Sequence, residues 1–145
     1  MCILIYISDT EDIETRKPSF RSVFNQEYAN YRIIAIFDGV KESHLLEIYK
    51  FIDEEGKGKY VKIVEYKEKQ EFGSAVLRSL NEHCAGAKIG AVMLGKDQIF
   101  SKYTLKIFNS IYQKERPLLA YGNYLEYRPS LSQLYLGSSK KFSEE

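Results

Sequence analysis

The chain has 145 residues and a mass of 16.9 kDa, which is the size of one ordinary domain. Hydrophobic residues make up 44% of the chain and charged residues 28%, a composition typical of a globular domain and not of a disordered one. A net charge of +1 gives too little positive potential to attract a phosphate backbone, so we expect no nucleic-acid partner. No apolar run approaches the roughly 18–20 residues of a membrane span, so none is expected.

The two cysteines, Cys2 and Cys84, form no spacing motif of a metal site or a disulfide framework. The sequence therefore predicts packed free thiols in a reducing, cytoplasmic setting. The lack of a signal peptide before the first strand also favours the cytoplasm. His83 precedes Cys84 directly, but adjacent helical residues point in different directions and do not predict a shared metal.

Short β-branched runs alternate along the chain with segments whose apolar residues repeat every three to four positions. The runs predict strands at residues 3–7, 33–37, 60–66, 89–94 and 118–127. The periodic segments predict four helices between them, with apolar stripes formed by Phe20, Val23 and Phe24; by Leu45, Ile48, Tyr49 and Ile52; by Val76, Leu77, Leu80 and Cys84; and by Thr104, Ile107, Phe108 and Ile111. Pro18 is expected near the first turn of the first helix and Ser43 at the cap of the second.

This alternation, repeated four times, predicts a three-layer α/β/α domain with a mainly parallel sheet. We expect the single domain to cover residues 1–137 and to be followed by a polar, disordered tail over residues 138–145. In such sheets ligands bind outside the carboxyl ends of the strands. Residues 8–12, 38–39 and 95–98, which follow strands one, two and four, are therefore the candidate site.

These segments lack the common phosphate-binding motifs, because no G-x-G-x-x-G follows the first strand and Gly56-Lys57-Gly58 is not part of a Walker loop. Three carboxylates remain, at Asp9, Asp38 and Asp97, each at the predicted carboxyl end of a different strand. Neighbouring strands lie about 4.8 Å apart, so such groups can meet at a hard cation or at ribose hydroxyls. The alternative is that each aspartate bonds only to its own turn.

Residues 22–39 read S-V-F-N-Q-E-Y-A-N-Y-R-I-I-A-I-F-D-G. This stretch resembles the S-V-L-N-Q-T-Y-x-N-x-E-I-I-x-V-D-D-G-S segment of glycosyltransferase family 2, without a gap. Residues 108–112 and 119–124 are similar to a later helix and strand of some members, so the resemblance spans about residues 2–127. It implies the Rossmann-like GT-A fold, a UDP- or GDP-linked nucleotide-sugar donor, and a divalent metal, Mn²⁺ or Mg²⁺.

The resemblance also implies a nucleotide site. Where the family has paired aspartates after the second strand, this chain has Phe37 and Asp38, so Asp38 and the following Gly39 are expected near the base and ribose. Where the family has P-T-Y-N after the first strand, residues 8–11 of this chain read S-D-T-E. Ser8 and Asp9 are expected to contact the nucleotide as well.

The D-x-D segment of the family falls on Gly95-Lys96-Asp97, so its first aspartate is replaced by glycine. Asp97 stands where family members bind the metal. Losing one carboxylate weakens the site, because affinity for a hard cation follows the number of charged oxygen ligands. Lys96 either meets the diphosphate of the nucleotide or is a solvated surface lysine.

Members of the family usually continue with a half-domain that carries the acceptor site and the general base of transfer. Two hypotheses follow: the chain is the donor-binding part of a sugar-transferring enzyme, with little or no activity alone, or it is a binding module that has lost transfer. Neither hypothesis predicts catalytic residues or an acceptor. A receiver-type phosphoacceptor domain fits less well, because no aspartate ends the third strand.

Overall fold

The computed structural model describes residues 1–8, 13–120, 124–128 and 133–137. The strands are β1 (Cys2–Ser8), β2 (Arg32–Asp38), β3 (Val61–Tyr66), β4 (Gly90–Leu94), β5 (Tyr124–Arg128) and β6 (Gln133–Gly137). The helices are α1 (Ile13–Phe24), α2 (Glu42–Glu54), α3 (Phe72–His83) and α4 (Thr104–Lys114), and a 3-10 turn over Gly58–Tyr60 leads into β3. The predicted tail, residues 138–145, lies outside the described residues, and the single-domain boundary at residue 137 stays a prediction.

Four strands form a parallel sheet in the order β3-β2-β1-β4. β1 is central: its Ile5 pairs with Ala35 of β2 on one side and with Met93 of β4 on the other. Six of its seven residues are buried, as its continuous apolar run predicts. The predicted α/β fold with a mainly parallel sheet is confirmed.

Alternate residues of β1 contribute to two separate cores. Ile3, Ile5 and Ile7 face one core, whose helical members come from α1, α2 and α4: Phe20, Val23, Phe24, Leu45, Ile48, Phe51, Ile52 and Leu105. Leu4 and Tyr6 face the other core, which contains Ala75 of α3. The sheet therefore lies between α3 on one face and the other three helices on the opposite face.

Several details of the predicted helices are wrong. α1 begins at Ile13, so Pro18 lies inside the helix and not in its first turn. Lys41 is the N-cap of α2, without a side-chain capping bond, and Ser43 lies within the helix. Tyr49 and Leu77 are exposed, because periodicity alone does not tell which of two adjacent apolar positions faces the sheet.

The last predicted strand is only partly right. β5 begins at Tyr124 and pairs antiparallel with β6 in a separate two-stranded sheet, not with the parallel one. Leu118 and Leu119, expected inside this strand, are exposed and lie outside regular structure. β6 is an additional strand that the sequence pattern does not predict.

The described part of the chain contains no helix with the length and apolar character of a membrane span.

Cys2 and Cys84 form a disulfide, although 82 positions separate them. The expectation of free thiols is wrong, because tertiary packing brings the start of β1 and the residue after α3 together, with Cα atoms 5.7 Å apart. Spacing along the sequence does not reveal such a pair. The bond ties the carboxyl end of α3 to the central strand of the sheet.

We predict that replacing both Cys2 and Cys84 with alanine lowers the free energy of unfolding by about 2–4 kcal/mol, because the crosslink closes a long loop in the unfolded chain. Urea unfolding followed by circular dichroism measures the loss. Dithiothreitol should destabilise the wild-type chain by a similar amount and leave the double variant unchanged. A wild-type chain whose stability does not respond to the reductant contradicts the prediction.

Candidate functional site

The carboxylate of Asp38, at the end of β2, is fully buried. Its Oδ2 accepts a hydrogen bond from the hydroxyl of Tyr6, at 2.5 Å, and its Oδ1 accepts one from the backbone N–H of Gln70, at 2.7 Å. Tyr6 belongs to β1, and Gln70 precedes α3. One carboxylate therefore joins two strands and the connection that leads into α3.

Gly39 turns the chain directly after Asp38. Its φ of +66° lies in the left-handed region, which glycine adopts without steric cost. A side-chain Cβ would lie at an ordinary 3.6 Å from Cβ of Lys69, so backbone conformation favours glycine here more than space does. The backbone N–H of Gly39 donates to the carbonyl of Tyr66, at 2.8 Å, and so fixes the turn to the end of β3.

Ser8 lies beside this turn, since it pairs with Asp38 in the register of β1 and β2. Its backbone carbonyl accepts a hydrogen bond from Nη2 of Arg16, at 2.8 Å, and Arg16 is fully buried. The sequence pattern gives only an indirect signal for Arg16: it stands four residues before Phe20, on the buried stripe of α1. Asp9, the other residue expected after β1, lies outside the described residues.

Asp97 and Lys96 follow β4 and are exposed. The segment leaves the sheet through two backbone hydrogen bonds, from the N–H of Gly95 to the carbonyl of Tyr6, at 2.7 Å, and from the N–H of Asp97 to the carbonyl of Leu94, at 3.0 Å. Asp97 lines an open cleft of about 420 Å³ together with apolar groups of Phe72, Val92, Met93 and Leu94.

Tyr6 connects Asp38 to the segment that carries Asp97. Its hydroxyl donates to Asp38, its carbonyl accepts from Gly95, and its ring packs edge-on against Phe72 with centroids 4.9 Å apart. Both aspartates thus lie at the carboxyl edge of the sheet. From its sequence, the chain is expected to bring carboxylates together at this edge, but among the described residues Asp97 lines the cleft and Asp38 is buried.

The donor set limits what metal this edge can hold. In the described ranges, no group of three or more histidines, cysteines and acidic residues is arranged to bind a metal ion. Asp97 offers one exposed carboxylate. Since Mg²⁺ is commonly held by one or two carboxylates together with substrate phosphates, these residues fit a cation that arrives with a diphosphate and do not form a complete protein site.

Solved structures with a similar fold are glycosyltransferases. The mannosyltransferase PcManGT from Pyrobaculum calidifontis, in complex with GDP-Man and Mn²⁺, superposes on 71% of this chain with a TM-score of 0.60 and 10% identity. TarS of S. aureus superposes on 86% with a TM-score of 0.65 and 13% identity, and TarS 1–349 in complex with UDP-GlcNAc on 80% with a TM-score of 0.61 and 15% identity. The predicted GT-A-type glycosyltransferase fold is confirmed.

This chain spans about a third or less of those proteins: 30% of PcManGT, 20% of TarS and 32% of TarS 1–349. No protein-family model and no curated protein matches the sequence. At 10–15% identity, the likeness establishes the fold and assigns no role to any side chain of this chain.

We predict that Asp38→Ala lowers the free energy of unfolding by about 1–3 kcal/mol for each of the two donors it leaves unsatisfied. Tyr6→Phe should cost less than Asp38→Ala, and the double variant less than the sum, because both substitutions break the same bond. Asp97→Ala is the matched control, since an exposed aspartate should change stability by no more than about 0.5 kcal/mol. Equal urea midpoints for Asp38→Ala and Asp97→Ala contradict this account.

Proposed function

We propose that this chain is the nucleotide-sugar-binding part of a glycosyltransferase, with residues Ser8, Asp9, Asp38, Gly39 and Lys96 at the nucleotide and Asp97 at a metal. The observation that carries the proposal is the carboxyl edge of a GT-A-type sheet, which holds Ser8, Asp38 and Gly39 side by side. Ligands of open α/β sheets bind at that edge.

A nucleoside diphosphate linked to a sugar is the proposed ligand. PcManGT is bound to GDP-Man and TarS 1–349 to UDP-GlcNAc, and both share the fold of this chain. These ligands have a ribose and a diphosphate in common and differ in base and sugar. We therefore propose a UDP- or GDP-linked donor and leave the acceptor open.

Asp38 is proposed to accept hydrogen bonds from the ribose or the base, which requires the groups that bury its carboxylate to move aside when a nucleotide binds. Each of its oxygens already accepts one bond from the protein, and a carboxylate oxygen has room for a second. Because Tyr6 and Gln70 hold the carboxylate in one orientation, it is ordered before the nucleotide binds. Such preorganisation reduces the entropy lost on binding.

Lys96 and Asp97 are proposed to act on the diphosphate. Both are exposed and adjacent, so an ammonium and a carboxylate extend from one short segment beside the cleft. Asp97 would hold Mn²⁺ or Mg²⁺ together with diphosphate oxygens, and the cation would offset the negative charge of the leaving group. Lys96 would add a positive charge from the protein itself.

A binding module without transfer activity is the second candidate. It is favoured by the donor set: among the described residues Asp97 belongs to no group of three or more potential metal ligands, and Gly95 stands where the resemblance expects a carboxylate. The two candidates share the nucleotide site and differ in whether a sugar is transferred. A transfer assay separates them.

The cytoplasmic location stays a prediction. The Cys2–Cys84 disulfide argues for an oxidising setting, because glutathione and thioredoxin keep most cytosolic thiols reduced. In the cytoplasm the chain would have to fold with both sulfurs as thiols.

We predict weak binding of UDP or GDP that Mn²⁺ strengthens, measured by isothermal titration calorimetry. Asp97→Ala should abolish the manganese effect and leave binding without the metal nearly unchanged, because Asp97 is proposed to contact the cation and not the nucleoside. Asp53→Ala, an exposed aspartate of α2, is the matched control and should behave as wild type. No heat with either nucleotide, with or without manganese, contradicts the proposed function.

We predict no sugar transfer by this 145-residue chain alone, and at most slow hydrolysis of the donor. Transfer needs a base within hydrogen-bond reach of the acceptor hydroxyl, and no residue of the chain is assigned that role. Release of sugar from a panel of UDP- and GDP-sugars with manganese measures both reactions. Rapid transfer that Asp97→Ala abolishes would contradict the prediction.

A further inference from the structure

The segment between β4 and α4 carries Lys96 and Asp97 but has no regular secondary structure. On one side of Asp97, the N–H of Gly95 is bonded to β1. On the other side, the N–H of Ile99 donates to Oγ of Ser22, at 3.0 Å. Asp97 is therefore flanked, two residues away in each direction, by a backbone amide that another element holds.

Ser22 belongs to α1 and is itself ordered by a second bond, since its hydroxyl donates to the carbonyl of Ser19, at 2.6 Å. A hydroxyl that donates to its own helix has its lone pairs directed outward. The Ser22 oxygen is thus a fixed acceptor for Ile99, and the position of the Asp97 segment depends on α1.

Gln26 makes a second connection between α1 and the same segment, and it is only 8% exposed. Its Nε2 donates to the carbonyls of Ser22, at 3.0 Å, and Ser101, at 2.8 Å, while its Oε1 accepts from the N–H of Leu105, at 3.1 Å. The first bond satisfies a carbonyl of the last turn of α1, and the third satisfies an N–H of the first turn of α4. One amide thus caps two helices, and α4 lacks a capping bond from its own N-cap, Tyr103.

Glu27 adds two more bonds next to Gln26. Its N–H donates to the carbonyl of Lys102, at 2.8 Å, and its Oε1 pairs with Nζ of Lys102, at 2.6 Å. The hydrogen bond to Glu27 raises the pKa of Lys102. The ion pair is exposed and contributes less than the bonds of the largely buried Gln26.

We propose that Ser22 and Gln26 are positioning residues for Lys96 and Asp97: they hold the β4–α4 segment in the arrangement that binds the diphosphate and its cation. This inference rests on the proposed function. An irregular segment has no hydrogen-bond ladder of its own, so without these bonds it samples more conformations and loses more entropy when a ligand orders it. Ser22 and Gln26 act by holding backbone groups of the segment, at Ile99 and Ser101. Neither residue lines the cleft beside Asp97.

The variants follow from the donors and acceptors. Ser22→Ala removes the acceptor of Ile99, and Ser22→Thr restores a hydroxyl at the same place. Gln26→Glu keeps an acceptor for Leu105 but sets a carboxylate against the carbonyls of Ser22 and Ser101. Ser43→Ala, at an exposed position of α2, is the control for loss of a serine hydroxyl.

Two measurements on the full chain test the inference: calorimetry with UDP or GDP plus Mn²⁺, and hydrogen exchange of the backbone amides of residues 96–98 without ligand. Ser22→Ala and Gln26→Glu should weaken nucleotide binding about three- to tenfold, the change that one hydrogen bond produces, and should speed exchange in the segment. Ser22→Thr and Ser43→Ala should match wild type. In an Asp97→Ala background, Ser22→Ala should weaken binding by less than in wild type, because only the part of its effect that passes through Lys96 remains.

The outcomes separate this inference from the proposed function. A wild-type chain that binds neither nucleotide contradicts the proposed function, and the exchange rates then still report whether Ser22 and Gln26 hold the segment. Wild-type affinity and wild-type exchange in both Ser22→Ala and Gln26→Glu overturn the inference while the proposed function stands. A lower melting temperature with unchanged affinity shows a purely structural role and overturns it as well.

Discussion

The buried carboxylate of Asp38 is the constraint on which the carboxyl edge of the sheet depends. Burying a polar group is costly unless the protein supplies its hydrogen bonds, and Tyr6 and Gln70 supply them to this carboxylate. The backbone carbonyl of Tyr6 in turn accepts a hydrogen bond from the N–H of Gly95, and its ring packs against Phe72. The turn after β2, the start of α3 and the exit of β4 are therefore linked through two residues, Asp38 and Tyr6, the latter by both its side chain and its backbone carbonyl.

α3 shows how this edge is linked to the opposite end of the sheet. The connection before α3 is held by Asp38, and its last turn is followed by Cys84, which is bonded to Cys2 at the start of β1. Among the described helices, only α3 packs on that face of the sheet. Two attachments, one at each end, compensate for a helix–sheet contact whose buried members are small residues, Ala75 and Ser79.

The sequence predicted the parts of the fold that depend on local pattern. The apolar runs of β1 and β2 predict central strands because strands buried on both faces need continuous hydrophobic residues. The pattern does not reveal which residues meet only after folding. These are the disulfide of Cys2 with Cys84 and the hydrogen bonds of Arg16 with Ser8 and of Gln26 with Leu105. Asp38 was predicted as a site residue from its place at a strand end, but its burial depends on Tyr6 and Gln70, which no spacing rule connects to it.

The two halves of the candidate site differ in how they are built, and this difference bears on how a ligand would be bound. The half at Asp38 and Gly39 is hydrogen-bonded and fixed by the sheet, with the carboxylate of Asp38 fully buried beneath the half-buried turn at Gly39. The half at Lys96 and Asp97 is exposed and depends on side chains of another helix for its position. A single exposed carboxylate binds a divalent cation weakly, so the diphosphate itself has to contribute ligands. Under the proposed function, nucleotide and cation therefore strengthen each other's binding at this edge, and an ordered β4–α4 segment adds to the affinity that its few charges supply.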